Sequence, residues 1–256
     1  MILRPLEPPP AAHAEFLPAW SVIEGMQRQP YDSCWMVTQP SHAALSGDFA
    51  AKLTGAQLPQ LDPALIRGVA LHDAGWGVPD AQAIMQSRSV SQGCPKSFIA
   101  CSVGEFVNAW EKSIDVAASV GPAGGYIVSR HFVRIAEHGA AQVAGSDRQT
   151  VERFLKNETA RQRQLAAKQN HSVQELELLT DVLQFCDLLS LYVCSGARDN
   201  VEFPEYFSMK ARLTVEGESY TLVPQLIEPG TKFAVAALRH PATKEVSGQE
   251  IGVTIW

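Results

Sequence analysis

In the stretch ALHDAGW, His72 and Asp73 stand side by side at the end of an apolar run. Both residue types bind divalent metals and move protons near neutral pH. The dipeptide alone decides nothing: with seven His and ten Asp in 256 residues, random order supplies about 0.3 such pairs. Its context is more informative, because groups of the same chemistry recur at helical spacing in three other segments. His42 opens QPSHAALSGDFAAKL ahead of Leu45, Phe49 and Leu53. His131 falls among Ile127, Val128 and Ile135 in AGGYIVSRHFVRIAEHG, and Asp187 lies in line with Leu176, Leu179, Leu183, Leu191 and Cys194. A lone His on an apolar helix face is more often a hydrogen-bonded core residue, and one inward Asp pairs with a buried donor as readily as with a metal. Four helices that each turn one metal-capable group inward make a stronger joint case, since helical bundles build metal sites from facing helices. His and carboxylate suit Fe, Mn, Zn, Co or Mg, and the lack of thiolates at ligand spacing disfavours structural zinc.

The elements that must position these groups are readable from caps and periodicity. LDPALIRGVALHDAGWG starts with Asp62 as N-cap and Pro63 at the first helical position, and its pattern runs to Gly75 or Gly77. Asp73 then shares a face with Ile66, Val69 and Ala70, and His72 with Leu65 and Val69, where an unpaired carboxylate costs several kcal/mol. Arg130, Arg134 and Glu137 fall on outer faces, and Asp181, beside Glu177 and Gln184, reads as solvated. Residues 1–38 are proline-punctuated, with short extended pieces in MILRPL and CWMVT. Residues 39–199 read as helix after helix, and the Arg- and Gln-rich stretch 147–170 as a solvated, projecting helix. Residues 200–256 hold β-prone runs (KARLTV, SYTLV, KFAVAAL, IGVTIW) between turns, a small β-rich subdomain. The expected fold is mainly α, with a small β-rich C-terminal sheet that the N-terminal pieces could join.

Composition excludes some functions. A net charge of −6 argues against a nucleic-acid polymer as partner, because such binders carry a basic face. The proline-broken N-terminus has no signal-peptide core, and no uninterrupted apolar run approaches the roughly 18 residues of a membrane span. Five cysteines without CxxC spacing read as reduced thiols of a cytoplasmic protein. The expected partner is a small-molecule substrate, with a homo-oligomer left open.

His42, then His72-Asp73, then Asp187, in helices and in that order, resemble the H…HD…D signature of the HD-domain metal-dependent phosphohydrolase superfamily, over roughly residues 39–199. More narrowly, QPSHAALSG, ALHDAGW and GGYIVSRHF resemble an uncharacterised bacterial HD-like family, a domain of unknown function with a short β-rich tail. The resemblance implies an HD-like helical bundle and makes His42, His72, Asp73 and Asp187 ligands of one metal. It places His131 where two-metal members add His ligands, so it could bind a second ion or contact a phosphate. The implied reaction is hydrolysis of a small phosphorylated molecule, such as a nucleotide, by metal-activated water, with Asp73 handling the proton. Lys96 in SQGCPKSF or Arg130 could supply cationic help, and Trp76 and Asp80 could line the pocket mouth. Several phosphohydrolases continue HD-x-G-K, whereas this chain reads HDAGW, so an aromatic stands where a phosphate-binding lysine would. Two other readings stay open: a non-heme di-iron oxygenase on an HD-like scaffold, and a non-catalytic metal-containing binding or sensor module.

Overall fold

The computed structural model describes residues 1–88, 94–217, 219–242 and 248–256. Ser91–Gly93 of the SQGCPKSF loop, Glu218 of the EGE turn and part of the RHPATKEVSG turn lie outside the described residues. The chain opens with β1 (Ile2–Pro5), β2 (Leu17–Pro18), α1 (Ala19–Arg28) and β3 (Cys34–Val37). The helical body follows: α2 (Gln39–Lys52), α3 (Pro63–Ala70), a 3-10 turn (Ala74–Trp76), α4 (Gly77–Arg88), α5 (Val103–Val120), α6 (Pro122–Gly139), α7 (Gly145–Ala166) and α8 (Val173–Ser195). Five strands end it: β4 (Val201–Tyr206), β5 (Met209–Glu216), β6 (Ser219–Val223), β7 (Thr231–His240) and β8 (Gly248–Ile255).

This corrects the expectation of an HD-like helical bundle with a small terminal sheet. Among the described residues helix accounts for 55% and strand for 20%, and the strands form one eight-stranded sheet curled into a half-barrel. Its order is β1-β3-β7-β8-β6-β5-β4-β2, so strands from both chain ends share one layer. The joint is β7, which is antiparallel to β8 on one side and to β3 on the other, with Met36 opposite Leu238. Local patterning marks a strand but not its partner, and this pairing spans most of the chain. The sheet is also a wall of the core: Phe49 of α2 meets Phe233 of β7 edge to face at 4.7 Å, and Phe185 of α8 meets Phe203 of β4 at 5.5 Å.

Local signals set the helix starts. The Asp62 carboxylate accepts from the Leu65 N–H at 2.8 Å, and Thr38 caps α2 through the Ser41 N–H. Reciprocal Ser/Glu caps open α5 (Ser102, Glu105) and α8 (Ser172, Glu175). By length and hydropathy α8 could cross a membrane, but 78% of its apolar window is buried inside the fold. The polar helix α7 does not project, because Val151 and Phe154 bury it against α5 and α6.

The end of α3 also differs from its pattern. The helix stops at Ala70, and Leu71 (φ −108°, ψ 3°) and Asp73 (φ −113°, ψ 22°) have left helical geometry. His72 and Asp73 therefore project from a turn rather than from a helix face. The turn is seated by close packing at Gly75: a Cβ there would lie 2.0 Å from the Ala109 carbonyl of α5. The Gly75 N–H donates to Ser113 Oγ at 2.9 Å and fastens the turn. A second close contact, Gly47 of α2 on Ala70 of α3, sets the approach of His42 to the His72-Asp73 turn. Against the expectation of reduced cysteines, Cys34 is bonded to Cys94, a pairing between distant segments that no local spacing announces. Cys101, Cys186 and Cys194 are free.

Candidate metal centre

Four elements converge on one buried cluster. His42 comes from the first turn of α2, His72 and Asp73 from the turn after α3, His131 from α6 and Asp187 from α8. His42 Nε2 lies 2.9 Å from Asp73 Oδ2, and His72 Nε2 lies 3.2 Å from Asp187 Oδ1 and 3.8 Å from Asp73 Oδ2. His131 Nε2 lies 3.7 Å from Asp187 Oδ2. The donors form two overlapping groups that share His72: His42, His72 and Asp73, and His72, His131 and Asp187. All five side chains singled out in the sequence as metal-capable meet here.

Hydrogen bonding fixes how His72 presents itself. The Val69 carbonyl can only accept, so at 2.8 Å it takes the hydrogen of His72 Nδ1. The Nε2 of a neutral His72 is then a lone pair facing a carboxylate lone pair, which repel unless a proton or a metal cation lies between them. His42 is held in a similar way. Ser190 Oγ lies 2.9 Å from His42 Nδ1 and donates to the Asp187 carbonyl at 2.8 Å, while Ser46 Oγ lies 2.8 Å from Ser190 Oγ. With the Ser190 hydrogen committed to that carbonyl, His42 Nδ1 is the donor and Nε2 the lone pair facing Asp73.

Electrostatics follow from two carboxylates among three imidazoles. Burial disfavours the His72 cation, yet the Asp73 charge and the hydrogen bond and charge of Asp187 outweigh it and raise its pKa to about 9. Burial would raise Asp187, but the His72 hydrogen bond and the charges of His72, His131 and His42 bring it down to about 2. Burial drives His131 down to about 4 against the pull of Asp187, so it is neutral. His72 thus carries a proton beside Asp187 and Asp73, a position that a divalent cation could take instead. Ligand atoms about 2.1 Å from a common ion stand roughly 3–4 Å apart, as the 2.9, 3.2 and 3.8 Å separations do.

A family model described as "Protein of unknown function (DUF3891)" matches residues 26–224. The chain belongs to the DUF3891 family. No curated protein and no solved structure matches it. The matched region of this DUF3891 chain contains every residue of the cluster.

The other site residues singled out from the sequence fall elsewhere. Trp76 is buried and packs edge to face on Phe106 at 5.3 Å, a core anchor rather than a pocket wall. Asp80 is buried, pairing with the Met1 ammonium at 3.0 Å and accepting from the Gln39 N–H at 2.6 Å, which ties down the start of the helix that bears His42. Lys96 is exposed, and its charge is felt by Cys101 and Glu105 at the start of α5. The Arg130 guanidinium is engaged by Glu177 and Glu137. Arg134 is the cation whose field reaches His131; it is pinned by Glu177, Asp181 and Gln184, so Asp181 is paired rather than merely solvated. Ile135, expected in the inward stripe, is 40% exposed. Sequence reasoning missed Ser46 and Ser190, although Ser46 lies four residues after His42 and Ser190 three after Asp187, both at same-face spacing. It also missed Tyr206, whose hydroxyl is kept neutral first by burial and then by the charge of Asp187.

Proposed function

We propose that the chain is a divalent-metal-dependent hydrolase of a small phosphorylated molecule, such as a nucleotide, with His42, His72, Asp73 and Asp187 as the ligands. The observation that carries this is the orientation of His72: its Nδ1–H is committed to the Val69 carbonyl, so its Nε2 faces Asp187 at 3.2 Å, where a proton or a metal cation must lie between them. The order of His42, His72-Asp73 and Asp187 supports it, being similar to the signature of HD-type phosphohydrolases. The ion would supply Lewis acidity and make a nucleophilic water accessible near neutral pH. Ser190 and the Val69 carbonyl orient the two imidazoles, as the outer partners of metal-binding histidines do. Asp73 Oδ2, between His42 and His72, is placed to hold a proton taken from a nucleophile.

The test is metal analysis of protein purified without chelator, followed by a panel of phosphomonoesters and nucleotides with and without the ion. About one ion per chain and metal-dependent phosphate release are expected; less than roughly half an ion per chain overturns the proposal. The second donor group, His72, His131 and Asp187, is what favours a two-metal alternative. Two irons with an oxygen-dependent spectrum would select the oxygenase, and a tightly held ion without turnover the sensor module.

A further inference from the structure

The three histidines differ in what their second ring nitrogen touches. His72 Nδ1 meets the Val69 carbonyl at 2.8 Å, and His42 Nδ1 meets the Ser190 hydroxyl at 2.9 Å. A histidine that binds a metal through one nitrogen almost always donates the other N–H to an acceptor, which fixes its tautomer and ring orientation. His131 has no such acceptor among the described residues: its Nδ1 is buried and unpaired, and its ring lies against those of His72 and Phe132, with centroids at 5.6 and 4.9 Å. A buried unpaired N–H is rarer than a buried unpaired acceptor, so the bare nitrogen is Nδ1 and the hydrogen sits on Nε2. Asp187 Oδ2 lies 3.7 Å from that nitrogen, longer than a hydrogen bond, which leaves the hydrogen for an arriving acceptor.

We infer that His131 is not a metal ligand but a neutral hydrogen-bond donor, its Nε2–H positioned between Asp187 and an acceptor oxygen of a bound phosphate ester. The inference rests on reading His42, His72, Asp73 and Asp187 as a metal centre. A nitrogen that carries a hydrogen has no lone pair for an ion. The group of His72, His131 and Asp187 therefore lacks its third donor, and Asp187 completes the group of His42, His72 and Asp73 instead. The centre holds one ion, and the third histidine faces the substrate.

Three measurements on the full chain test this. Long-range 1H–15N spectra of the metal-free and zinc-loaded wild type should show His131 as the neutral Nε2–H tautomer in both states. An Nδ1–H tautomer, or a zinc-induced change of the His131 nitrogen that marks coordination, overturns the inference. Zinc content of His131→Gln and His131→Leu should equal that of the wild type, while His42→Ala loses the ion; loss from both folded His131 variants overturns it. Inorganic phosphate should bind zinc-loaded His131→Leu about tenfold more weakly than wild type, the worth of one hydrogen bond to a charged group. His131→Gln, whose side-chain amide keeps a donor near the Nε2 position, should recover most of that affinity, and equal affinity in all three forms overturns the donor role. If the wild type takes up no zinc, the metal-centre reading fails, and the metal-free spectrum still decides the tautomer.

Discussion

The charge balance of the cluster makes a quantitative prediction for metal-free protein. His72 titrates at about 9 in the folded chain against an ordinary 6.5, because the charges and hydrogen bond of Asp73 and Asp187 outweigh burial. Its folded pKa is raised, so its contribution to stability is complete below pH 6.5 and disappears as the pH climbs through 9. A shift of this size corresponds to about 3 kcal/mol, at about 1.4 kcal/mol per pH unit. For a chain of this length that is roughly 6–12 °C in melting temperature. The assay is urea or thermal unfolding in chelator at pH 6 and pH 9.5, on wild type and His72→Gln. Wild type should lose most of the 3 kcal/mol over this window, while His72→Gln should be nearly flat. Saturating zinc should abolish the loss in wild type, because the ion replaces the proton. A metal-free wild type equally stable at both pH values would refute the reasoning, since His72 would then hold no proton between two carboxylates.

Four further outcomes follow from the geometry. Asp73→Ala should lose the ion, by more than roughly 100-fold in affinity, and Ser190→Ala should weaken it by roughly 10–100-fold as expected for an orienting partner; unchanged metal content in a folded Asp73→Ala sinks the ligand assignment. Gly75→Ala should cost roughly 1–3 kcal/mol or more, read by urea unfolding, because its Cβ would lie 2.0 Å from the Ala109 carbonyl; a neutral effect would mean that the turn is not seated on α5. Alkylation of the unreduced, denatured chain should modify Cys101, Cys186 and Cys194, with Cys34 and Cys94 reacting only after reduction. Five reactive thiols before reduction would refute the pairing.

What could be read from the sequence divides along a physical line. His42, His72, Asp73, His131 and Asp187 were legible because each breaks an apolar helical pattern, and a buried polar group needs a partner. Asp62 was legible as a cap because capping is a contact over three residues. Interactions decided by tertiary neighbours were not. Nothing near Asp80 announces that its partner is the ammonium at Met1, and Trp76 follows the HD pair in sequence while its ring turns to Phe106. Arg130 and Arg134 lie one turn apart, and only the packing of α6 on α8 decides which of them reaches the cluster. The largest misreading, a bundle in place of a half-barrel wall, came from the β3–β7 pairing, which joins residues from opposite ends of the chain.

Asp187 and Ser190 lie on one turn of α8, which supplies a carboxylate to the centre, a backbone carbonyl to the Ser190 hydroxyl and that hydroxyl to His42. On the proposed ligand set, the donors that precede α8, His42, His72 and Asp73, lack their fourth member until it docks. During synthesis, the polypeptide from His42 through Asp73 would thus emerge as an incomplete chelator. Under that reading, capture of an ion with native affinity would be a late event, reporting that the last helix of the body has seated.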